Sequence, residues 1–211
     1  PSTRNTESLG YLAQGTRIRN PDVGGLGGHN KIHSRGLTVH HTTAQLDGMQ
    51  TDNADCDFCG GGKNLNPGYA AEFAMSTSSN NADVQTGGFR INLIPREGGN
   101  TQSGNAYIGF AGIHLQGDNV DQALKDAGFG SGNKIVYNEE INPSWGGPIL
   151  RDRIWFFASA RMTKRYTAIA NTEWPDSPLM REALPDLIGQ QGISEGWGRS
   201  FGLRLTGQVT E

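Results

Sequence analysis

The cleanest periodicity lies at the end of the chain. Phe201, Leu203, Leu205, Gly207 and Val209 fall on one face of an extended segment, and Gly202, Arg204, Thr206, Gln208 and Thr210 fall on the other. Strict period-two alternation over this length predicts a β-strand with one apolar and one polar face. A second segment reads the same way. Ile154, Phe156, Ala158, Ala160 and Met162 alternate with Trp155, Phe157, Ser159, Arg161 and Thr163. Phe89, Ile91 and Leu93 share one face of a further strand, which Pro95 stops. The strand-like pattern there begins at Glu72. Residues 104–117 read as a small-residue strand with Tyr107, Ile113 and Leu115 on one face. Residues 139–150 are extended but broken by Pro143 and Pro148. Leu37, Val39 and His41 alternate with Thr38 and His40 in a short strand within 36–49.

Turn residues separate these runs. Asp47-Gly48 is a tight-turn signal. Residues 96–100 and Arg151-Asp152-Arg153 are short polar turns. Residues 50–70, 118–137 and 166–198 read as loops, the last with a short helix near Leu179–Ile188. Leu9 and Leu12, three apart, predict a short helix over 5–14 that Gly15 ends.

Composition supports a β-rich chain. Its 211 residues include 31 glycines and 9 prolines, and that glycine share is roughly double the average of about 7%. That count argues against a helical bundle. The net charge of −3 offers no basic face for a nucleic acid. No run of about 18 apolar residues exists, which excludes a transmembrane helix but not a transmembrane β-strand. The chain opens on Pro1 without an initiator Met, so it is expected to be trimmed or cut from something longer.

Strands with one apolar face occur in soluble sandwiches and in membrane barrels. The connections after residue 117 run long, short, long, as the loops and turns of outer-membrane barrels do. Four strands cannot close a barrel, because the smallest have about eight. On this reading the chain is part of a larger protein.

Five segments in order resemble the TonB-dependent outer-membrane receptors, closest to the subgroup with an N-terminal carboxypeptidase-regulatory-like domain. They are Pro21-Asp22-Val23-Gly24-Gly25, Leu46-Asp47-Gly48-Met49, the run from Gln85 to Asn100 through Phe89-Arg90-Ile91-Asn92-Leu93-Ile94-Pro95-Arg96-Glu97, Trp145-Gly146-Gly147-Pro148-Ile149, and Asp152-Arg153-Ile154-Trp155-Phe156-Phe157. The resemblance implies a mainly β architecture. Residues 1–100 would be most of a small α/β plug domain. Residues 101–211 would be the first four antiparallel strands of an incomplete transmembrane β-barrel. It also implies a transporter in the outer membrane of a Gram-negative-type bacterium, surrounded by lipid, that binds a scarce or bulky extracellular ligand. TonB would engage a segment not found in this chain. No cofactor and no catalytic residue are expected.

Candidate chemistry is sparse. Cys56 and Cys59 stand in CxxC spacing within the loop Asp55-Cys56-Asp57-Phe58-Cys59, which departs from the family pattern. This loop is the candidate ligand-facing element of the plug. Zinc held with His29 and His33, a redox pair and a disulfide are the three readings of the cysteines. A small loop-stapling disulfide fits an oxidising compartment best. Gly60-Gly61-Gly62-Lys63-Asn64 lacks both the glycine spacing and the Ser or Thr of a phosphate loop. Arg90, Arg96 and Glu97 are candidate plug–barrel contacts. Arg161 and Arg204, opposite the apolar faces, suit an aqueous lumen. The alternative is a soluble all-β cell-surface binding or adhesion module, in which Phe201, Leu203 and Leu205 pack with Ile154 and Phe156 in an interior.

Overall fold

A computed structural model describes residues 9, 12–18, 32–36, 43–51, 66–77, 88–117, 120–128 and 132–208. Its strands form three sheets. The smallest pairs β1 (Thr16–Ile18) antiparallel with β2 (Ile32–Ser34). A mixed sheet contains β3 (Thr43–Leu46), β4 (Met49–Gln50), β5 (Ala70–Ser76) and β6 (Arg90–Pro95), in the order β4-β3-β6-β5. The third is an antiparallel meander of β7 (Ser103–Gly112), β8 (Lys134–Leu150), β9 (Ile154–Glu173) and β10 (Gln191–Gly207), each beside its chain neighbour.

The buried core belongs to the mixed sheet and β2. Phe89, Ile91 and Leu93 alternate inward on and beside β6 and are fully buried with Ile32 and Ala44. β6 can bury this face because it lies between β3, which runs parallel to it, and β5, which runs antiparallel. The β3–β4 hairpin turns at Asp47 and Gly48, with φ of 51° and 81°. Both central residues therefore take the left-handed region that a two-residue hairpin turn needs, which Asp-Gly adopts readily. Asn92 on β6 secures the turn by accepting from the Gly48 N–H at 3.0 Å.

Several expected boundaries move. Among the described residues before 101 there is no α-helix, and Leu9 and Leu12 stand in 3-10 conformation. The strand expected over Leu37–His41 lies outside the described residues. β7 stops at Gly112, so Ile113 and Leu115 lie in a 3-10 turn and share no strand face with Tyr107. The open face of β7 instead carries Ile108 and Phe110. β8 runs unbroken through both prolines. Pro143 still pairs with Ala106 of β7, whereas the pairing with β9 skips Asn142 and Pro143 and resumes in the same register at Ser144. The missing N–H thus weakens one ladder only. The last two strands extend well into the expected 166–198 loop and leave residues 174–190 between them. That connection holds α2 (Pro178–Ala183), capped by the Ser177 hydroxyl. The short α1 (Gln122–Asp126) lies in the β7–β8 connection. Arg181 clips Asp176 through two hydrogen bonds and holds its carboxyl below the ordinary value.

No helix among the described residues is long and apolar enough to cross a membrane, which says nothing of crossing by strands.

Candidate functional site

The meander separates its side chains by chemistry. On one face Ile108 registers with Ile141, and Ile141 with Met162. Further along, Phe201 faces Ala160, Leu203 faces Ala158 and Leu205 faces Phe156. This apolar face is uncovered by any described residue. Phe201, Leu203 and Leu205 are 70%, 66% and 64% exposed. The interior that a soluble module would build from them is not present among the described residues.

The opposite face is polar and buried. Glu140, Asn142 and Ser144 of β8 and Ser159 of β9 point to this side and are almost wholly removed from solvent. Asn66 sits over them at the start of a 3-10 turn, Pro67–Tyr69. Its side-chain oxygen accepts from the Gly68 N–H at 2.9 Å and from Asn142 Nδ2 at 2.8 Å. Its amide donates to Ser159 Oγ at 3.0 Å. One asparagine therefore caps a turn leading into the mixed sheet and fastens it to two strands of the meander. A Cβ at Gly68 would strike the Asn142 side chain, so glycine permits the approach. Asn142 Oδ1 is left with no hydrogen-bond partner among the described residues. Such an atom in a buried polar pocket is a place for ordered water.

Two further features join the sheets. The Tyr69 ring lies 6.1 Å from that of Phe157 and packs over Gly202, where a Cβ would come 2.9 Å from the ring. Burial raises the Tyr69 phenol above its ordinary value, so it stays neutral at physiological pH. Beside it Arg204 of β10 reaches across to Asp47 at 3.2 Å and to Glu97 at 2.8 Å. Lower down, Asn100 receives the Asp152 N–H at 3.0 Å and Trp155 Nε1 at 2.7 Å. It also donates to Asp152 Oδ1 at 2.6 Å. The connection from β6 to β7 is thus tied to the β8–β9 turn.

The structure places the sequence candidates unequally. Glu97 meets Arg204 between the sheets. Arg96 remains within the mixed sheet, its Nε donating to the Ala70 carbonyl at 2.8 Å. Arg90 lies on β6 and registers with Thr43 and Ser76. Asp55, Cys56, Asp57, Phe58 and Cys59 lie outside the described residues, as does His29, while His33 lies on β2. No cluster of three or more His, Cys, Asp or Glu side chains is present among the described residues. Sequence reasoning missed Asn66, Tyr69, Asn142 and Ser159. The signal for Asn142 was the alternation of Glu140, Asn142 and Ser144 with Ile141, Pro143 and Trp145.

The Arg204 pairs make a checkable joint. Both acids are about half exposed, so water screens the attraction strongly. Arg204→Ala is expected to lower stability by no more than about 1 kcal/mol, less at high salt. Urea melts at two ionic strengths measure this. A large loss independent of salt would mean that packing, not charge, is what Arg204 supplies.

Comparison with known proteins returns one informative similarity. Over 157 residues, 74% of this chain, the sequence is 26% identical to the TonB-dependent transporter Oar of Myxococcus xanthus. The chain spans only 14% of that protein's length. No family model matches, and no solved structure matches.

Proposed function

We propose that this chain is a portion of a TonB-dependent outer-membrane transporter. In this reading the mixed sheet belongs to the plug, within residues 1–100, and the meander supplies the first four barrel strands, within 101–211. The observation that carries it is the division of the meander. Its apolar face stands open, and its polar face closes over a small separate sheet through Asn66, Tyr69 and Arg204. A soluble domain buries its apolar face, whereas a membrane barrel turns that face to lipid and keeps polar residues inside. The similarity to the Myxococcus transporter supports the same reading. The edge strands β7 and β10 would be paired by strands of the remaining barrel.

Transport would then be import of a scarce or bulky extracellular ligand, with no bond in the ligand made or broken. The inner-membrane partner TonB would supply the energy by pulling on the plug. Polar contacts such as those of Asn66 and Arg204 suit a plug that must stay seated yet yield, because water can replace each of them during opening. The loop Asp55–Cys59 would face the ligand, stapled by Cys56 and Cys59. The subgroup with a carboxypeptidase-regulatory-like domain remains the finer assignment of this proposal.

The test uses full-length protein in outer membranes, free of Cys56 and Cys59. Single cysteines at Leu203, Arg204, Leu205 and Thr206 carry a fluorescent label. A lipid-soluble quencher is expected to reach 203 and 205 but not 204 and 206. Deleting the gene and disabling TonB should then abolish uptake of the same nutrient. Protection of 203 and 205 from lipid, with unchanged uptake, would sink the proposal.

A further inference from the structure

The foot of the meander, at the β8–β9 turn, carries polar groups that the fold does not use. The β7–β8 ladder ends at the pair Ser103–Gly146, while β8 runs on to Leu150. Between this overhang and residues 100–102 lies a depression of about 530 Å³. Asn100, Thr101, Gln102, Pro148, Ile149 and Arg151 line it. Arg151 begins the tight turn to β9, which the Arg153 N–H closes on the Leu150 carbonyl at 3.1 Å. Asp152 takes a left-handed φ of 63° there. Asn100 holds it, accepting from its N–H at 3.0 Å and donating to its carboxylate at 2.6 Å. The one acid of the turn is therefore already engaged. The Arg151 guanidinium, the Thr101 hydroxyl and the Gln102 amide have no hydrogen-bond or ion-pair partner among the described residues. All three can donate.

The depression adjoins the open apolar face. Ile149, 60% exposed, sits in the bulge where β8 slips against β9. Gln102 has the same parity as Gly104, Ala106, Ile108 and Phe110 on β7. It packs on Gly147, where a Cβ would come 2.8 Å from its Cγ. The next rows along the strands form a shallow furrow of about 790 Å³, floored by Gly104, Ala106, Pro143, Ala158 and Ala160. Trp145, leaning over Gly104, walls one side, and Phe201 with Leu203 walls the other. Six residues separate Arg151 from Trp145, or about 20 Å of strand. At the usual barrel tilt that is about 15 Å of depth, the thickness of one leaflet's hydrocarbon.

We infer that this strip binds one anionic phospholipid, with its phosphate in the depression beside Arg151 and an acyl chain in the furrow. Charge complementarity selects that occupant. Arg151 and Arg153 stand at the turn against the single carboxylate of Asp152. A headgroup of net negative charge, as phosphoglycerol has, is therefore favoured over one that also carries an ammonium. Arg151 donates to the phosphate by charge-assisted hydrogen bonds, and Thr101 and Gln102 donate to its remaining oxygens. The small residues of the floor leave room for a chain between the aromatic and aliphatic walls. A free phosphate ion would fill the depression and leave the furrow empty. The distance between the two fits a lipid and fixes its direction, headgroup at the turn and chain toward mid-bilayer.

This site rests on the transporter reading, in which so short a turn is periplasmic and meets the phospholipid leaflet. The experiment separates the two. Full-length protein, with Cys56 and Cys59 removed, is reconstituted in vesicles of phosphatidylglycerol and phosphatidylethanolamine in equal amounts. One of the two lipids at a time carries brominated acyl chains as the quencher. A fluorophore is placed through Ile108→Cys, one row beyond the furrow on β7, or through Leu205→Cys on β10. Quenching at 108 is expected to be about threefold greater with the glycerol lipid, the discrimination of one exposed ion pair, and equal for both lipids at 205. Arg151→Gln should level the two lipids at 108. Arg153→Gln, outside the depression, should keep the difference, as should an excess of soluble glycerol phosphate, which has no chain for the furrow. Equal quenching at 108, with both labels quenched, would overturn the site and leave the membrane reading standing. Equal loss of the difference with either arginine changed would overturn the site as well, since turn charge at large would then be the cause. Loss of the difference to glycerol phosphate would reduce it to a phosphate site and overturn the lipid. Quenching of neither label by either lipid would overturn the membrane reading itself.

Discussion

On the transporter reading, Leu203→Arg is expected to destabilise the protein in a bilayer by about 2–4 kcal/mol, the loss typical of an arginine on the lipid face near mid-bilayer. Leu203 lies six residues from Trp197 and four from Gly207 along β10, well inside the apolar stretch. Its neighbour across the sheet is Ala158, too small to shield a charge. The same substitution on a water-facing surface would change stability by no more than about 0.5 kcal/mol. The two environments therefore predict effects that differ severalfold. Urea-dependent unfolding of full-length protein in lipid vesicles, read against Leu203→Ala, is the measurement. A near-zero difference would put this face in water, and the open apolar surface would then need a protein partner to cover it.

The meander was legible where alternation is uninterrupted. β10 and the first half of β9 show it in the sequence because each position has a plain apolar or polar residue. The Asp47-Gly48 turn was legible for a different reason, since its chemistry is local. β8 was half hidden. Pro143 and Pro148 read as breaks, yet an antiparallel strand tolerates a lost donor where only one ladder suffers. β7 misled because glycines at 104, 109 and 112 contribute no side chain, which leaves too few positions to fix a face or an end. The extension of β9 and β10 into the expected loop was hidden because Glu173 and Glu195 are polar wherever they lie. A strand that leaves the apolar layer has no period-two signal.

The joint between the sheets was the least legible part. Asn66 meets Ser159 across 93 residues of chain, and Arg204 meets Asp47 across 157. Nothing local marks such a pair, because an asparagine in a turn and an arginine in a strand each have an ordinary solvated reading. Glu97 drew attention through its place in a motif, while its partner Arg204 was noticed only as a polar residue opposite an apolar face. The tertiary fold turns these separate observations into a joint. That joint is what a force applied to the smaller sheet would have to release.

On the transporter reading, how dry that inner face is decides how much force the plug resists, and Glu140 reports on it. Glu140 of β8 accepts Arg161 Nε at 2.9 Å and a second guanidinium nitrogen at 3.3 Å. Only 13% of the Arg161 side chain and 10% of that of Glu140 are exposed. Breaking a pair buried this deeply costs about 3–5 kcal/mol, because the remaining charge keeps its desolvation and loses its best partner. Glu140→Ala is expected to fall in that range by vesicle urea unfolding. The double change Glu140→Leu with Arg161→Met should recover most of the loss, since an apolar pair of similar volume leaves no charge behind. A single-mutant loss under about 1 kcal/mol would instead mean that water already reaches the pair, as at a surface. In that case the contacts of Asn66 and Arg204 would exchange with solvent just as easily, and the smaller sheet would leave its seat at low force. A loss in the full range, recovered by the double change, would mean a dry inner wall. Release would then wait on further water reaching Asn66 and Ser159 from beside Asn142, whose buried oxygen lacks a protein partner among the described residues.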